Sequence, residues 1–320
     1  MKEKIPTTTV LIWDDMLRST KPNKWHFTSN NTNLEPVYWD YSPKLGISHL
    51  NLLNYRRNFR NIWIASAFKG ADGKTATIPK IRDRFQNHFS WLKLILNYKF
   101  GGESKVYNFK GIILTGWSRY THMDPPCELL PVAIPSLVLD LILVKKFIAG
   151  LELDATSIAN ADIDDFFNVH VSNEYGKGLK CNTDFVIDLE NILNCYFESR
   201  ELYSLLHRYE QLKAGISLVF NTDDIPLFSC EYYASKKFIE KTHLIENINW
   251  CENAMKELIT IEVALRENMK MYYKKRVIDE YLIYKTYSLK KNLEVILKAL
   301  NSYKNTFVWN RNPLLGNVSD

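Results

Sequence analysis

Short apolar runs in the first half of the chain end in side chains that could recognise a ligand. A Trp stands at the end of three of the four runs, as Trp13, Trp39 and Trp117. Indole rings can cover the apolar face of a sugar while charged groups beside them bond its hydroxyls, although most aromatic residues simply fill cores. The pattern therefore favours a carbohydrate pocket. Its candidate binding residues are Trp13, Asp14, Trp39, Tyr41, Trp117, Arg119 and Tyr120.

The four runs that carry these residues are rich in β-branched side chains. Segments long enough for a helix follow them, as at 78–98 and 127–147. Continuous apolar strands with helical crossovers indicate a parallel sheet buried on both faces. Side chains that follow such strands meet at the carboxyl edge of the sheet, where a crevice opens. We therefore predict an α/β fold with strands at residues 9–13, 36–39, 61–65 and 111–115.

The second half of the chain has a different character. Charged amphipathic runs take over by Leu189, at 189–213, 232–273 and 277–304. Apolar residues recur within them mostly at spacings of three and four, which indicates helices with one buried stripe. The predicted regions are an α/β domain at 1–153, a linker with one short helix at 154–188, and an antiparallel helical region at 189–320.

Charge and cysteine content exclude several classes of protein. The 41 basic and 36 acidic residues are dispersed, whereas a nucleic-acid interface needs basic residues clustered on one face. The five cysteines form no C-x-x-C pair, so neither a zinc site nor a disulfide framework is indicated, and we expect reduced thiols. The first residues resemble no signal peptide and no apolar run is long enough to span a membrane. We therefore expect a cytoplasmic or nuclear protein with no membrane contact.

Several blocks of the first half match a known family in order and spacing. The blocks are VLIWDDML from Val10, PVYW from Pro36, WIASAFKGA from Trp63 and GIILTGW from Gly111, followed by Arg119-Tyr120, CELLPV from Cys127 and IPSL from Ile134. They resemble the hexosaminidase D-like members of glycoside hydrolase family 20. The resemblance covers about residues 8–147, and the helical remainder is similar to the family's C-terminal region only loosely.

The resemblance implies a fold and a reaction. Members of this family are (β/α)8 barrels that remove terminal β-linked N-acetylgalactosamine or N-acetylglucosamine with retention, and the substrate's own acetamido oxygen is the nucleophile. No cofactor or metal is implied. An Asp-Glu pair on strand four orients the acetamido group and protonates the leaving oxygen. The nine residues before Val10 contain Glu3 but no such pair. The resemblance therefore implies strands five to eight of a barrel without the catalytic acid.

The resemblance also gives roles to candidate residues. Trp13, Trp39 and Trp117 match the indoles that wall the subsite for the non-reducing sugar and its N-acetyl group. Phe68 and Lys69 stand where the family has a Tyr that bonds the acetamido oxygen. We expect that difference to weaken normal catalysis.

Other polar side chains near the strand ends are weaker candidates. Asp14 and Asp15 are neighbours, and successive side chains of a strand face opposite ways, so we do not expect an acid pair there. Glu128 begins a predicted helix, where the helix dipole favours a carboxylate, and His122 reads as a loop residue. Arg119 stands where secreted relatives have a Glu. Because a guanidinium only donates hydrogen bonds, hydroxyl recognition should differ.

Three functions stay open at this point. The chain is the C-terminal part of a hexosaminidase, or a short form that binds N-acetylhexosamine glycans without hydrolysing them, or a helical dimerisation or scaffold protein with a relic half-barrel. The expected partners are glycans or glycoconjugates with a terminal N-acetylhexosamine. Pairing with a second copy or with a missing N-terminal half is also expected, because the outer strands of a half-barrel are open edges.

Overall fold

Four parallel strands form one sheet and lie side by side in chain order. The computed structural model describes residues 8–22, 25, 33–100, 107–153, 179–181, 192–221 and 241–306. The strands are β1 Val10–Trp13, β2 Leu34–Trp39, β3 Ile62–Lys69 and β4 Phe109–Gly116. The helices that follow them are α1 Asp15–Arg18, α2 His49–Asn58, α3 Ile81–Phe100 and α4 Leu130–Leu153. The predicted α/β fold with a parallel sheet is therefore confirmed.

The third strand continues past its predicted end. The sequence predicts that it stops at Ala65, whereas β3 runs to Lys69 and is buried over these last residues. The register of β3 against β4 shifts between Ala67 and Lys69, so Phe68 is an extra residue on β3. The Phe68 ring lies so close to Gly116 that a Cβ there would meet it at 2.5 Å. Such bulges re-aim the side chains beside them, here at the carboxyl edge of the sheet.

One face of the sheet packs against helices α2 and α3. Tyr38 on β2 meets Tyr55 of α2 and Trp91 of α3 edge-on, each at 6.1 Å between ring centroids. Ile62 and Ile64 of β3 join the same buried cluster. Side chains alternate along a strand, so these residues fix which face turns toward the helices.

The opposite face carries a buried polar group near the amino ends of the strands. The Glu35 carboxylate accepts a 2.6 Å hydrogen bond from the Trp63 indole and another from the Asn61 amide. The Trp63 ring lies over Gly111 of β4, where a Cβ would be only 2.6 Å from it. Glycine is therefore required at position 111, and the strands β2, β3 and β4 are locked in register at this end.

The cysteines differ in part from the expectation. Cys127 and Cys251 are buried free thiols, whereas Cys195 is disulfide-bonded, so the prediction that all five thiols are reduced is wrong. Cys195 lies in β6 Cys195–Tyr196, which pairs antiparallel with β5 Lys180–Cys181, and the residue opposite it is Cys181. None of the described helices has the length and apolarity needed to span a membrane.

The chain divides into two compact units, Met1–Arg200 and Glu201–Asp320. The second unit is built from helices α5 Arg200–Asn221, α6 Lys241–Met269 and α7 Lys275–Thr306. The helix expected from Leu189 begins at Arg200, because residues 192–194 form a 3₁₀ turn and Cys195 starts a strand. Most of the predicted linker at 154–188 lies outside the described residues.

Helices α6 and α7 run antiparallel to each other. Glu262 of α6 accepts a hydrogen bond of 2.9 Å from Thr286 of α7 and pairs with Lys290. Arg266, one turn later on α6, pairs with Asp279, which lies earlier on α7. Contacts that advance along one helix while they retreat along the other establish opposite directions.

Candidate functional site

The candidate indoles meet at the carboxyl edge of the sheet. Trp13 ends β1 and Trp117 follows β4, yet their ring centroids are 5.4 Å apart with the planes tilted by 49°. The Trp117 indole N–H donates a 2.9 Å hydrogen bond to the Tyr41 hydroxyl. Tyr41 in turn stacks on Trp39, which ends β2, at 5.0 Å. We call Trp13, Trp39, Tyr41 and Trp117 the aromatic cluster.

The members of the aromatic cluster differ in what they offer a ligand. Trp13 and Trp117 are each 39% exposed, so a ligand could reach both rings. Trp39 is half-buried, and the Arg18 guanidinium lies 4.7 Å from its ring centroid. Because Trp39 is already covered by Arg18 and Tyr41, it supports the cluster, whereas Trp13 and Trp117 form its open surface.

Asp14 is fully occupied by the protein itself. Its carboxylate accepts hydrogen bonds of 2.9 and 2.7 Å from Arg18 and one of 3.0 Å from the Tyr55 hydroxyl. Burial raises the pKa of Asp14, while Arg18 opposes that shift. Asp14 therefore fastens α1 to α2. Arg18 also donates to the Trp39 carbonyl at 2.9 Å, so the same arrangement holds the end of β2.

Asp15 lies in a different environment from its neighbour. It is exposed at the first position of α1, whereas the Asp14 side chain is wholly buried. The two neighbouring carboxylates therefore differ in solvent exposure.

Helix α3 anchors the loop that carries Tyr41. Arg84 donates a 2.9 Å hydrogen bond to the Tyr41 carbonyl, and Trp91 donates one of 2.9 Å to the Asp40 carbonyl. Asn87 bonds both the Asp40 and the Ser42 carbonyls, at 2.9 and 2.7 Å. Helix α3, which packs against the sheet, therefore fixes the backbone of the loop that carries Tyr41.

The backbone at Trp117 is held from the end of β3. The Lys69 ammonium donates to the Trp117 carbonyl, and burial lowers the pKa of Lys69. Gly70 has a φ of +76°, and a Cβ there would lie 2.1 Å from the same carbonyl. Cys127 approaches it too, at 3.5 Å from its sulfur. Lys69 therefore holds the Trp117 backbone, and Phe68 packs against Gly116. Both side chains are buried, so neither presents a group to a ligand.

The loops after β3 and β4 are joined by two hydrogen bonds. The Tyr120 hydroxyl accepts one of 2.7 Å from the Gly73 backbone, and Glu128 accepts one of 3.2 Å from the Asp72 backbone. Glu128 is buried, and its second oxygen has no hydrogen-bond partner. Glu128 therefore holds the loop after β3 through the Asp72 backbone. The sequence had suggested only an interaction with the helix dipole.

Buried charges lie beneath these loops. Arg84 pairs with Asp72 at 3.2 Å, and burial raises the pKa of Asp72 to about 6. Asp140 of α4 is completely buried, and neither of its oxygens has a hydrogen-bond partner among the described residues. Burial raises the pKa of Asp140 well above the usual value, and Arg84 opposes the shift. His88 bonds Ser66 at 2.7 Å, and burial lowers the pKa of His88 to about 3.

Arg119 and His122 belong to the turn after β4. Arg119 donates to the Asp124 carbonyl and so closes the turn after β4. His122 is exposed within that turn. Within the described ranges, no group of three His, Cys, Asp or Glu residues is placed to hold a metal ion.

The sequence interpretation missed Arg18 and Arg84, which position the cluster. For Arg18 a signal existed, because it stands four residues after Asp14 and such pairs meet on one helical face. For Arg84 there was none, since its contacts with Asp72 and Tyr41 depend on how loops return to α3.

Comparison with known proteins finds relatives over part of the chain. A stretch of 140 residues is 42% identical to hexosaminidase D of Bos taurus and 40% identical to hexosaminidase D of Homo sapiens. The stretch is 43% of this chain but only 39% of the bovine and 28% of the human protein, so the chain spans well under half the length of these relatives. No family model matches the chain. The resemblance is confirmed in this partial form, and over 140 residues the chain is a relative of hexosaminidase D.

Proposed function

We propose that the first unit supplies the sugar-binding wall of a hexosaminidase-type glycosidase and binds terminal β-linked N-acetylhexosamine through Trp13 and Trp117. The aromatic cluster carries this proposal, because two half-exposed indoles 5.4 Å apart offer flat apolar surface at the open edge of the sheet. Sugars present an apolar face that such rings cover. The similarity to hexosaminidase D supports the choice of sugar.

The four-stranded sheet fits strands five to eight of a (β/α)8 barrel. All of its strands are parallel and in chain order, and each is followed by a helix, as in such a barrel. The ligand-binding edge of a barrel lies at the carboxyl ends of its strands, where the aromatic cluster stands. On this proposal the remaining wall of the pocket comes from outside the described residues.

The proposal assigns no catalytic acid to the described residues. Asp14 is saturated by Arg18 and Tyr55, and Glu128 is buried beneath the loops. Asp15 is exposed, next to the buried Asp14. We therefore propose that this chain binds the sugar without cleaving it. Positioned acid catalysis alone is worth about 10² to 10⁴ in rate.

Sugar binding should be weak. Burial of about 100 Å² of apolar sugar face gives at most about 2 to 3 kcal/mol before the entropy of association is subtracted. The expected dissociation constant is about millimolar or larger.

Tryptophan fluorescence tests the binding proposal directly. Titration with N-acetylgalactosamine, and separately with a thiazoline analogue, should give a saturable change that Trp13→Ala and Trp117→Ala remove. Trp250→Phe in α6 is the matched control and should bind like the wild type, because Trp250 belongs to the second unit. The proposed site would be refuted if binding survived both alanine substitutions. It would also be refuted if binding were lost only in variants that the thermal melt shows to be unfolded.

Hydrolysis is tested separately with an aryl β-N-acetylhexosaminide. We expect no release of the aryl group above the uncatalysed rate at neutral pH. Turnover comparable to that of a complete hexosaminidase would contradict the proposal that this chain lacks the acid. Asp15→Asn would then show whether that exposed carboxylate is responsible.

A further inference from the structure

Asp15 is an exposed carboxylate next to the aromatic cluster in the chain. It stands two residues after Trp13, at the first position of α1. Its neighbour Asp14 is wholly buried, whereas Asp15 is open to solvent. Among the described residues, the Asp15 carboxylate takes part in no hydrogen bond or ion pair. Its oxygens are therefore free to accept hydrogen bonds from a ligand.

The charge of Asp15 also reaches the loop after β2. Burial raises the pKa of Tyr41, the hydrogen bond from Trp117 opposes that shift, and the negative charge of Asp15 adds to it. Water and salt screen an exposed charge beyond about 10 Å, so Asp15 lies near the Tyr41 hydroxyl. That hydroxyl accepts the 2.9 Å hydrogen bond from the Trp117 indole.

Two separate relationships therefore place Asp15 at the rim of the open indoles. One is the chain itself, which joins Asp15 to Trp13 through a single residue. The other is the electrostatic contact with Tyr41, which holds Trp117. Because the rings of Trp13 and Trp117 are 5.4 Å apart, both relationships lead to the same surface.

Four other carboxylates near the strand ends are held by the protein. Asp14 accepts its three hydrogen bonds from side chains beneath the edge of the sheet. Asp40, which follows β2, accepts hydrogen bonds of 2.8 and 2.6 Å from two backbone N–H groups of its own loop. Asp72 is in a buried ion pair, and Glu128 is buried beneath the loops. Asp15 differs from all four in being both exposed and unoccupied.

We infer that Asp15 is a specificity-determining residue of the proposed sugar site, where its carboxylate accepts a hydrogen bond from a hydroxyl of the N-acetylhexosamine. The inference rests on the proposed function, because the sugar must lie on Trp13 and Trp117. Indole rings cover the apolar face of many sugars, so stacking alone distinguishes them poorly. A carboxylate only accepts, and its hydrogen bonds are strong, so its position selects the hydroxyl that the sugar must carry.

The turn after β4 provides no such acceptor side chain at Arg119. Its guanidinium donates to the Asp124 carbonyl and cannot accept a hydrogen bond. A sugar hydroxyl that leaves water without an acceptor for its proton loses free energy. Asp15 supplies that acceptor from the opposite outer strand of the sheet, since it follows β1.

Sugars that each lack one hydroxyl test the inference on the full chain. Tryptophan fluorescence titrations compare N-acetylgalactosamine with its deoxy derivatives. Asp15→Ala should weaken binding of the complete sugar about fivefold to tenfold, because a charge-assisted hydrogen bond is lost. Removal of one particular hydroxyl should weaken wild-type binding by a similar factor and have no further effect on Asp15→Ala. Glu252→Ala, at an exposed carboxylate of α6, is the control and should bind like the wild type.

A tyrosine titration tests the position of Asp15 without any sugar. NMR of tyrosines labelled at Cζ follows each phenol as the pH rises, and Tyr41→Phe identifies the Tyr41 signal. The charge of Asp15 disfavours the Tyr41 phenolate, so Asp15→Ala should lower the pKa of Tyr41. Glu252→Ala should leave it unchanged.

The outcomes separate this inference from the proposed function. Equal affinity of the wild type and Asp15→Ala would refute the role of Asp15 and leave the stacking site standing. A deoxy sugar whose loss of affinity adds to that of Asp15→Ala in every case would refute it too, as would an unshifted pKa of Tyr41. Failure of the wild type to bind any of the sugars would overturn both. Asp15→Asn keeps the shape and one acceptor oxygen, so a folded Asp15→Asn variant should bind with intermediate affinity.

Discussion

The Trp117 indole donates a hydrogen bond of 2.9 Å to the Tyr41 hydroxyl across 76 positions of sequence. This bond joins the loop after β4 to the loop after β2. Tyr41 is held by Arg84 through its carbonyl and by Trp39 through its ring, so the orientation of the exposed Trp117 ring depends on side chains from several elements.

Removal of the Tyr41 hydroxyl should loosen the Trp117 ring without unfolding the chain. We expect Tyr41→Phe to reduce the free energy of unfolding by less than about 1 kcal/mol, because the bond is near solvent. Sugar binding followed by fluorescence should weaken several-fold. Tyr120→Phe removes a comparable hydroxyl outside the aromatic cluster and serves as the control. Equal affinity in both variants would show that the orientation of Trp117 does not matter.

Substitutions at Asp14 and Asp15 should change the free energy of unfolding by different amounts. Asp14→Asn replaces an acceptor of three hydrogen bonds, and its new N–H₂ group faces the Arg18 and Tyr55 donors. We expect a loss of about 2 kcal/mol in a urea unfolding experiment, discounted because Arg18 is partly exposed. Asp15→Asn should stay within about 0.5 kcal/mol of the wild type. A stable Asp14→Asn variant that loses only sugar affinity would restore Asp14 as a binding residue.

A side chain at position 70 should destabilise the folded chain, whereas one at position 215 should stabilise it. Gly70→Ala forces a Cβ to within 2.1 Å of the Trp117 carbonyl at a φ of +76°, so we expect a loss of about 2 kcal/mol or more. Gly215 lies inside α5 with open space around it, and Gly215→Ala should gain about 0.5 to 1 kcal/mol. The measurement is the midpoint of thermal unfolding. Equal midpoints for the two variants would contradict the close approach at Gly70.

Asp140 should make the chain less stable as the pH rises. Its folded pKa is raised above the unfolded value of about 3.9, so the folded state binds the proton more tightly. The stability from this group is complete below that unfolded pKa and is lost as the pH rises toward the folded pKa.

Asp140→Asn removes the titrating group and should flatten this dependence. In urea unfolding experiments, the stability of the variant relative to the wild type should increase as the pH rises above about 4. Asp15→Asn, at an exposed position, should keep the wild-type pH dependence. If the difference in stability between Asp140→Asn and the wild type does not change with pH over this range, the carboxylate is already ionised in the folded chain and the raised pKa is contradicted.

The strand pattern was predictable because it is local. Runs such as 111–115 are apolar and β-branched, and their alternation with helical segments indicates a parallel sheet before any contact is known. The convergence of Trp13 and Trp117 followed from the rule that parallel strands end at one edge. The role of each side chain at that edge could not be predicted in this way. Asp14 and Trp39, for example, both contact Arg18 of the protein itself.

The buried polar groups were beyond sequence reasoning for a physical reason. Asp140 and Glu128 lie in apolar or helix-start contexts, and their burial depends on how α3, α4 and the loops pack together. The disulfide at Cys195 was missed because cysteine counts describe the whole chain and not the local pairing of two short strands.

The chain-order pairing of β1 to β4 has a consequence for synthesis on the ribosome. Each strand hydrogen-bonds only to strands adjacent in the chain, so none of the four must wait for a distant partner to emerge. The growing polypeptide can add one strand and one helix at a time to an edge that already exists, because synthesis delivers the strands in the order in which they pair. Such a sheet assembles vectorially, and shortening it from either outer edge leaves the units that remain correctly paired.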